Sequence, residues 1–263
     1  MNTDTEPNGY TGDIQAVRRV ADIIGLFSLT TPRMTVAEAA QRVGLNRTTV
    51  HRYFSSMVAA GLLERDPEEP SSFVPGSLVL QLGAVAQGQR RVLEIAPRHM
   101  RELSNEVELT TVLSLWGRTG PVVSLVAETM HSPILVTVRV GTQLSLESAQ
   151  TRVFLAFFQS SEYVESWIAD HPSPDLSDVR ASMAEARATG TCRALQPTVD
   201  GVVVAAPIFD HGRIAASIAV VGTRSSLPTG NRTKERALTR AALAITEEMG
   251  GTELYRAAIT TPG

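Results

Sequence analysis

The residues most open to a chemical reading lie in one short basic stretch. In Asn46-Arg47-Thr48-Thr49-Val50-His51-Arg52, two arginines bracket two threonines and a histidine. On a helix, side chains at such spacings leave from neighbouring faces. Arginine can donate two parallel hydrogen bonds to a guanine edge, and threonine reaches either a phosphate or a thymine methyl. The surroundings carry the same sign. Residues 14–63 hold Arg18, Arg19, Arg33, Arg42, Arg47 and Arg52 against only Asp22 and Glu38, although the whole chain has a net charge of −3. A basic N-terminal quarter on an acidic remainder is the pattern of a nucleic-acid-reading module joined to a domain with another task. Its alternative is a chance cluster on a solvated face.

Nothing else in the chain forms a reactive set. The histidines His51, His99, His131, His171 and His211 are scattered, without metal-ligand spacing. Cys192 has no histidine near it in sequence and reads as a loop residue, so it is a poor nucleophile candidate. Neither GxxxxGK[ST] nor GxGxxG occurs. The expectation is a protein that is not an enzyme and needs no cofactor or metal. One cysteine cannot make a disulfide framework. At 263 residues, with 43% hydrophobic and 19% charged, the composition is that of a globular chain of one or two domains. No run of about 18 apolar residues occurs, and the start MNTDTEPNGYTGD has no apolar signal region. These features predict a cytoplasmic protein with no membrane partner.

Local signals predict the elements that position the basic stretch. Residues 1–12 read as a loose arm. Ile14, Val17, Val20, Ala21 and Ile24 repeat with helical period behind Asp13 as N-cap, up to a break at Thr30-Thr31-Pro32. Thr35 and Glu38 form a capping box that opens a second helix, which Gly44 ends. Asn46 caps a third helix with Val50, Tyr53, Phe54, Met57 and Val58 on its apolar side. Leu62–Asp66 and Ser72–Val74, across a turn at Pro67-Glu68-Glu69-Pro70, read as a hairpin. Two helices with a tight glycine turn, the second polar and basic at its start, are a helix-turn-helix signal, and the hairpin would be its wing. The bland alternative is a helical hairpin that only packs.

Beyond the wing, residues 75–91 read as a linker helix with Leu78, Leu82 and Val85 as its stripe, followed by a helix over 92–107 with Leu93, Met100 and Leu103 inside. Strands are predicted at 110–116, 122–128, 134–140, 202–208 and 214–221. Helices are predicted near 148–159, 162–169, 176–189 and 232–249, with a proline-rich loop at 171–175. Strands and helices without βαβ regularity make the fold class α+β. The predicted domains are 13–74, which binds DNA, the 75–91 linker, and 92–263, which binds an effector.

MTVAEAAQRVGLNRTTVHRYFSSMVAAGLLERD closely resembles the winged helix-turn-helix of the isocitrate-lyase-regulator (IclR) family of bacterial transcription factors. The resemblance continues through FVPGSLVLQLG, ILVTVRVGTQLSLESA and GVVVAAPIFDHGRIAASIAVVG, and so spans roughly residues 13–250. It implies a GAF-like effector domain with a six-stranded antiparallel sheet flanked by helices. It also implies a homodimer, or a dimer of dimers, on double-stranded operator DNA. The DNA-binding candidates are Thr35, Asn46, Arg47, Thr48, Thr49, His51, Arg52 and, on the wing, Arg65.

Relatives that sense small acids line their pocket with an aspartate, a cysteine and serines. Those positions fall here on Ala194, Val203, Ala219 and Val221, with the loop Leu195–Gly201 one residue short. The other wall also departs, with Ser145, Glu147 and Ala149-Gln150-Thr151-Arg152-Val153 where the family has proline, histidine and a Thr-Ala-x-Gly-Lys run. Leu144, Leu146, Ala149, Gln150 and Thr151 are candidates on that wall. Val112, Ser114 and Trp116 are candidates on a strand whose parity, if reversed, would offer Leu113 and Leu115 instead. Methyl groups in place of hydroxyls and carboxylate favour a fairly apolar effector, aromatic or longer-chain, with one polar anchor left among Gln150, Thr151, Arg152 or backbone amides. The alternative is a cavity that has filled in. The expected function is a ligand-responsive regulator, a repressor of a catabolic operon. A second reading is a small-molecule-binding or enzymatic domain whose helix-turn-helix serves dimerisation only.

Overall fold

The structure, a computed structural model, describes residues 14–129, 138–171, 173, 175–196, 201–230 and 232–251. The chain divides into two compact units, Met1–Gln87 and Gly88–Gly263. In the first unit the elements are α1 (Gln15–Ile24), β1 (Met34–Thr35), α2 (Val36–Val43), α3 (Arg47–Ala59), β2 (Leu63–Arg65), β3 (Ser72–Pro75) and α4 (Ser77–Gly88). The strands form an antiparallel sheet in the order β1-β3-β2. The short β1, invisible to a pattern reading at two residues, ties the start of α2 to the wing.

The caps explain where these helices start. The Thr35 backbone N–H donates to Glu38 Oε2 at 2.9 Å, and the Glu38 N–H donates to Thr35 Oγ1 at 3.2 Å. Two donors that the first turn leaves orphaned are thereby satisfied. The Thr35 backbone N–H, together with the Thr35 hydroxyl that donates to the same Oε2 at 2.8 Å, holds the Glu38 carboxyl below its ordinary value. Gly44 takes φ +67°, a left-handed conformation that turns the chain sharply between α2 and α3. Asn46 Oδ1 then accepts from the Thr49 N–H at 2.7 Å and starts α3. At the wing base, a Cβ on Gly76 would stand 2.4 Å from the Gly61 carbonyl oxygen, so glycine is required for that close approach. The core joins Ile23, Met34, Ala39, Ala40, Val50, Met57 and Leu63 around Phe54, whose ring meets Phe73 edge-on at 4.8 Å.

Several boundaries differ from the sequence expectation. Asp13 lies outside the described residues, and the N-cap position of α1 is Ile14, which makes no side-chain cap. That helix ends at Gly25, well before Thr30-Thr31-Pro32, because its apolar period runs out at Ile24. Val58 is exposed rather than packed. The linker helix is shorter than 75–91 and buries none of its residues: Leu80, Leu82 and Val85 are 78%, 54% and 53% exposed.

The second unit contains α5 (Arg91–Val107), β4 (Thr110–Trp116), β5 (Pro121–Ala127), α6 (Ala149–Phe157), α7 (Ser161–Asp170), α8 (Leu176–Thr189), β6 (Cys192–Gln196), β7 (Gly201–Asp210), β8 (Arg213–Thr223) and α9 (Arg232–Met249). Its sheet is antiparallel with strand order β5-β4-β8-β7-β6. Helices α5 and α9 pack together on one face, and α6 and α8 on the other. Ion pairs clamp the first couple: Glu248 takes Arg98 at 2.6 Å and His99 at 2.8 Å, and Glu106 takes Arg240.

The described residues show five strands where six were expected. Of the strand expected at 134–140, residues 134–137 lie outside the described residues and Val138–Val140 are not in a strand. Residues 141–144 instead run along the outer edge of β5, with the Leu144 N–H on the Pro121 carbonyl at 2.9 Å. Cys192 is not on a loop. It pairs with Ala205 in β6 and is buried. The supposed loop 195–201 likewise starts later, since β6 runs to Gln196. A single alternating pair of apolar residues was too short a signal for this edge strand.

Two measurements test the packing. Phe54→Ala should cost about 3–5 kcal/mol of stability in the first unit. Both tryptophans lie in the second unit, so helical circular dichroism should show an earlier first transition while the tryptophan transition stays in place. Burial pushes the Cys192 thiol from 9.0 up to about 12. The unfolded chain therefore releases this proton first, and stability falls as pH rises above 9. Iodoacetamide at pH 8 should leave native Cys192 unmodified and alkylate it fully in denaturant. Rapid native alkylation would show that β6 opens.

Candidate functional site

The phase of α3 decides what the first unit presents. Val50, Phe54 and Met57 are buried, which turns Arg47, Thr48, His51, Arg52 and Ser55 outward as exposed side chains and leaves Thr49 half-buried. Arg47 and Arg52 make no ion pair with described residues. A protruding capped helix with two unpaired guanidinium groups and two hydroxyls suits the major groove, where such groups meet base edges. Among the other expected DNA contacts, Thr35 and Asn46 are engaged as caps through Oγ1 and Oδ1. Arg65 is occupied within the wing: its guanidinium lies 4.9 Å above the Phe73 ring, and Nη1 donates to the Pro70 carbonyl at 2.9 Å.

The charge count also changes once the wing is included. Over residues 14–74 there are seven arginines against six acids, because Glu64, Asp66, Glu68 and Glu69 follow directly after the stretch first counted. Three of those acids gather around Arg33, at 3.2 Å from Asp66, 3.6 Å from Glu68 and 3.9 Å from Glu69. Arg33 is thus neutralised at the wing. What remains basic is the side of α3 and α1, where Arg19, Thr49, Arg52, Tyr53 and Ser56 line a groove of about 500 Å³. Arg19 was counted in the basic stretch but not singled out as a DNA contact, because its helix carries no recognisable motif.

In the second unit the strand register collects the expected effector residues. Val112 pairs with Ala219, Ser114 with Ser217, Val221 with Val203, and Val203 with Ala194. Directly paired side chains project to the same side, so all of them share one sheet face. Trp116 continues that alternation, and its ring lies 5.4 Å from Phe154 of α6. The face is therefore the one covered by α6, and Leu113 belongs to the opposite side. Leu146, Ala149, Gln150 and Thr151 are buried above it, and Leu144 is half-buried. Trp116 sits in an aromatic cluster with Phe154, Phe158, Tyr163 and Trp167, and its Nε1 donates to the Tyr163 hydroxyl at 3.1 Å.

The candidate polar anchors divide into spent and unspent groups. The Gln150 amide nitrogen donates to the carbonyls of Ser217 at 2.9 Å and Val112 at 3.4 Å. Arg152, only 6% exposed, donates through Nη1 to Ser182 Oγ at 2.8 Å and lies 2.7 Å from Asp178. A buried guanidinium needs such partners, and α8 supplies them from 26 and 30 residues further along the chain, beyond the reach of any local pattern. The hydroxyls of Ser114 and Thr151 are buried without a hydrogen-bond partner. Leaving a buried hydroxyl unpaired costs about 1–3 kcal/mol. Cys192, with its thiol held protonated, is not available as a nucleophile. Among the described residues no group of histidine, cysteine or carboxylate side chains could hold a metal. No helix there is long and apolar enough to cross a membrane.

Comparison with known proteins agrees with both halves. The IclR helix-turn-helix domain matches residues 16–67, and the C-terminal domain of bacterial IclR transcriptional regulators matches residues 85–247. The chain is similar to the HTH-type transcriptional regulator KipR of Bacillus subtilis, with 27% identity over 76% of this chain and 82% of that protein. The crystal structure of an IclR transcriptional regulator from Silicibacter sp. TM1040 superposes with a TM-score of 0.81 at 25% identity, covering 90% of this chain and 96% of that one. An IclR homologue from Microbacterium hydrocarbonoxydans, crystallised with 4-hydroxybenzoate, has the same fold at a TM-score of 0.70 and 20% identity, over 89% of this chain and 99% of that one. These domains and relatives are transcriptional regulators rather than enzymes. With both halves matched in order, the chain belongs to the IclR family of bacterial transcriptional regulators.

Proposed function

We propose that this regulator is a repressor of a catabolic operon that reads a pseudo-palindromic operator as a homodimer or dimer of dimers, under control of a fairly apolar effector. The observation that carries the DNA reading is the outer face of α3, where Arg47, Thr48, His51 and Arg52 stand exposed and neither arginine has an ion pair among the described residues. Repression needs only occupancy of the operator. Association of copies is supported by α4, a helix whose apolar side chains stay in solvent unless a second chain covers them. A symmetric dimer then matches the two-fold symmetry of a divided operator.

The effector class follows from the sheet face under α6. Val112, Ala194, Val203, Ala219 and Val221 offer methyl groups and no charge, and Trp116 and Phe154 add aromatic surface beside them. An apolar body gains about 25 cal/mol for each Å² removed from water. A single hydroxyl or carbonyl on it finds a partner in Ser114 or Thr151. A small hydrophilic acid would strand its remaining polar atoms there. The ligand of the Microbacterium protein, 4-hydroxybenzoate, shares the aromatic ring of this expected class but carries a carboxylate besides its hydroxyl.

Fluorescence anisotropy on the protein's own upstream DNA tests the first part. Binding should be nanomolar and survive scrambled competitor, and Arg47→Ala and Arg52→Ala should each cost about 1–3 kcal/mol of operator affinity. Weak binding that scrambled DNA competes away would leave phosphate attraction alone and overturn specific reading. A thermal-shift screen tests the second part. Aromatic or longer-chain molecules with one hydrogen-bonding group should stabilise the second unit, by about 2.7 kcal/mol at a hundredfold excess over Kd. Stabilisation by small hydrophilic acids alone would refute the apolar effector.

A further inference from the structure

We infer that the flanking DNA-backbone contact made by a wing in many winged helices is made here instead by the groove between α1 and α3, where Arg19 and the Tyr53 hydroxyl hold a phosphate. The inference rests on the reading that α3 enters the major groove.

Two independent observations point the same way. The first is the groove itself. Thr49, Arg52, Tyr53 and Ser56 follow the i, i+3, i+4, i+7 spacing, so they form one face of α3, running from the outermost Arg52 round to the side that faces α1. Arg19 stands on the opposite wall, half-buried, and makes no ion pair with described residues. The lining therefore brings two guanidinium groups and three hydroxyls together with no carboxylate. Guanidinium groups only donate, and a hydroxyl can donate to whatever accepts. A group with several acceptor oxygens and negative charge fits this set, and beside a recognition helix that group is a backbone phosphate.

The second observation is the wing. Its turn carries Asp66, Glu68 and Glu69, and its two nearest cations are already engaged, Arg33 by those acids and Arg65 by Phe73 and the Pro70 carbonyl. A phosphate approaching the turn meets carboxylates first. The side of the first unit able to neutralise a phosphate is thus the α1 side, opposite in charge to the wing.

Salt titration of DNA binding separates the two sides, because each neutralised phosphate contributes about 0.9 to the slope of log K against log salt. Arg19→Ala should lower the slope by about that amount and weaken operator and scrambled DNA by the same factor, with base preference intact. Arg19→Lys should keep the slope, which guards against a merely structural effect in α1. Tyr53→Phe should weaken both DNAs alike, and Arg65→Ala should leave the slope unchanged. An unchanged slope in Arg19→Ala, a loss confined to the operator, or a slope that falls with Arg65→Ala would each overturn the assignment. Wild-type protein that binds no DNA would remove the reading of α3 itself, and this inference with it.

Discussion

The position at which α3 begins governs everything the first unit presents. Asn46 accepts the Thr49 N–H at 2.7 Å and Gly44 takes a left-handed turn one residue before Leu45. Together they fix the phase of a helix whose buried side is Val50, Phe54 and Met57. Starting the helix one residue earlier or later would rotate every side chain by about 100°, carrying Arg52 and Thr48 away from the outermost position. The capping box of α2 serves the same end from the other side, because α2 is the wall on which α3 rests. Small Ala39 and Ala40, both buried, allow that close approach.

Register has the same role in the second unit. The pairs Val112–Ala219, Val221–Val203 and Val203–Ala194 set four strands in step. A slip of one residue would exchange the whole row for Leu113, Ile218 and Val220, which face the α5 and α9 side. The aromatic ring of Trp116 against Phe154 anchors the correct alternation at one end, and the Gln150 amide on two strand carbonyls anchors it in the middle. The Gln150 side-chain nitrogen is thereby a bridge between β4 and β8.

The parts of this architecture that were legible in the sequence are the ones decided locally. Capping residues, the turn glycine and helical periodicity announced α2, α3, α8 and α9 almost to the residue, since each signal needs only its near neighbours. The family resemblance then supplied order and sheet class. What stayed hidden depends on partners far along the chain. Arg152 looked like a possible anchor until Asp178 and Ser182 on α8 were found against it. Arg65 was read as a phosphate contact, and its place over Phe73, with Nη1 on the Pro70 carbonyl, could not be read from the sequence. Cys192 looked like a loop residue because an edge strand of five residues gains its identity from Ala205 and its neighbours across the ladder. The charge reading went astray for a simpler reason. Its window closed at residue 63, just short of Glu64, Asp66, Glu68 and Glu69.

Three hydroxyls of the second unit are buried without a partner among the described residues: Ser114 on the sheet face under α6, Thr151 on α6 itself, and Thr111 on the opposite sheet face. Ser114 and Thr151 are fully buried and lack partners among the described residues, at a desolvation cost of about 1–3 kcal/mol for each. Replacing either by alanine or valine would relieve that cost, and the neighbouring positions Val112, Ala194, Val203, Ala219 and Val221 carry only methyl groups. In the effector reading proposed above, apolar contact supplies most of the affinity, because it scales with area. The hydroxyl supplies discrimination, because a ligand lacking a matching group leaves the cost in place while a matching one removes it. A site of this kind separates ligands by one polar atom while tolerating variation in the apolar body.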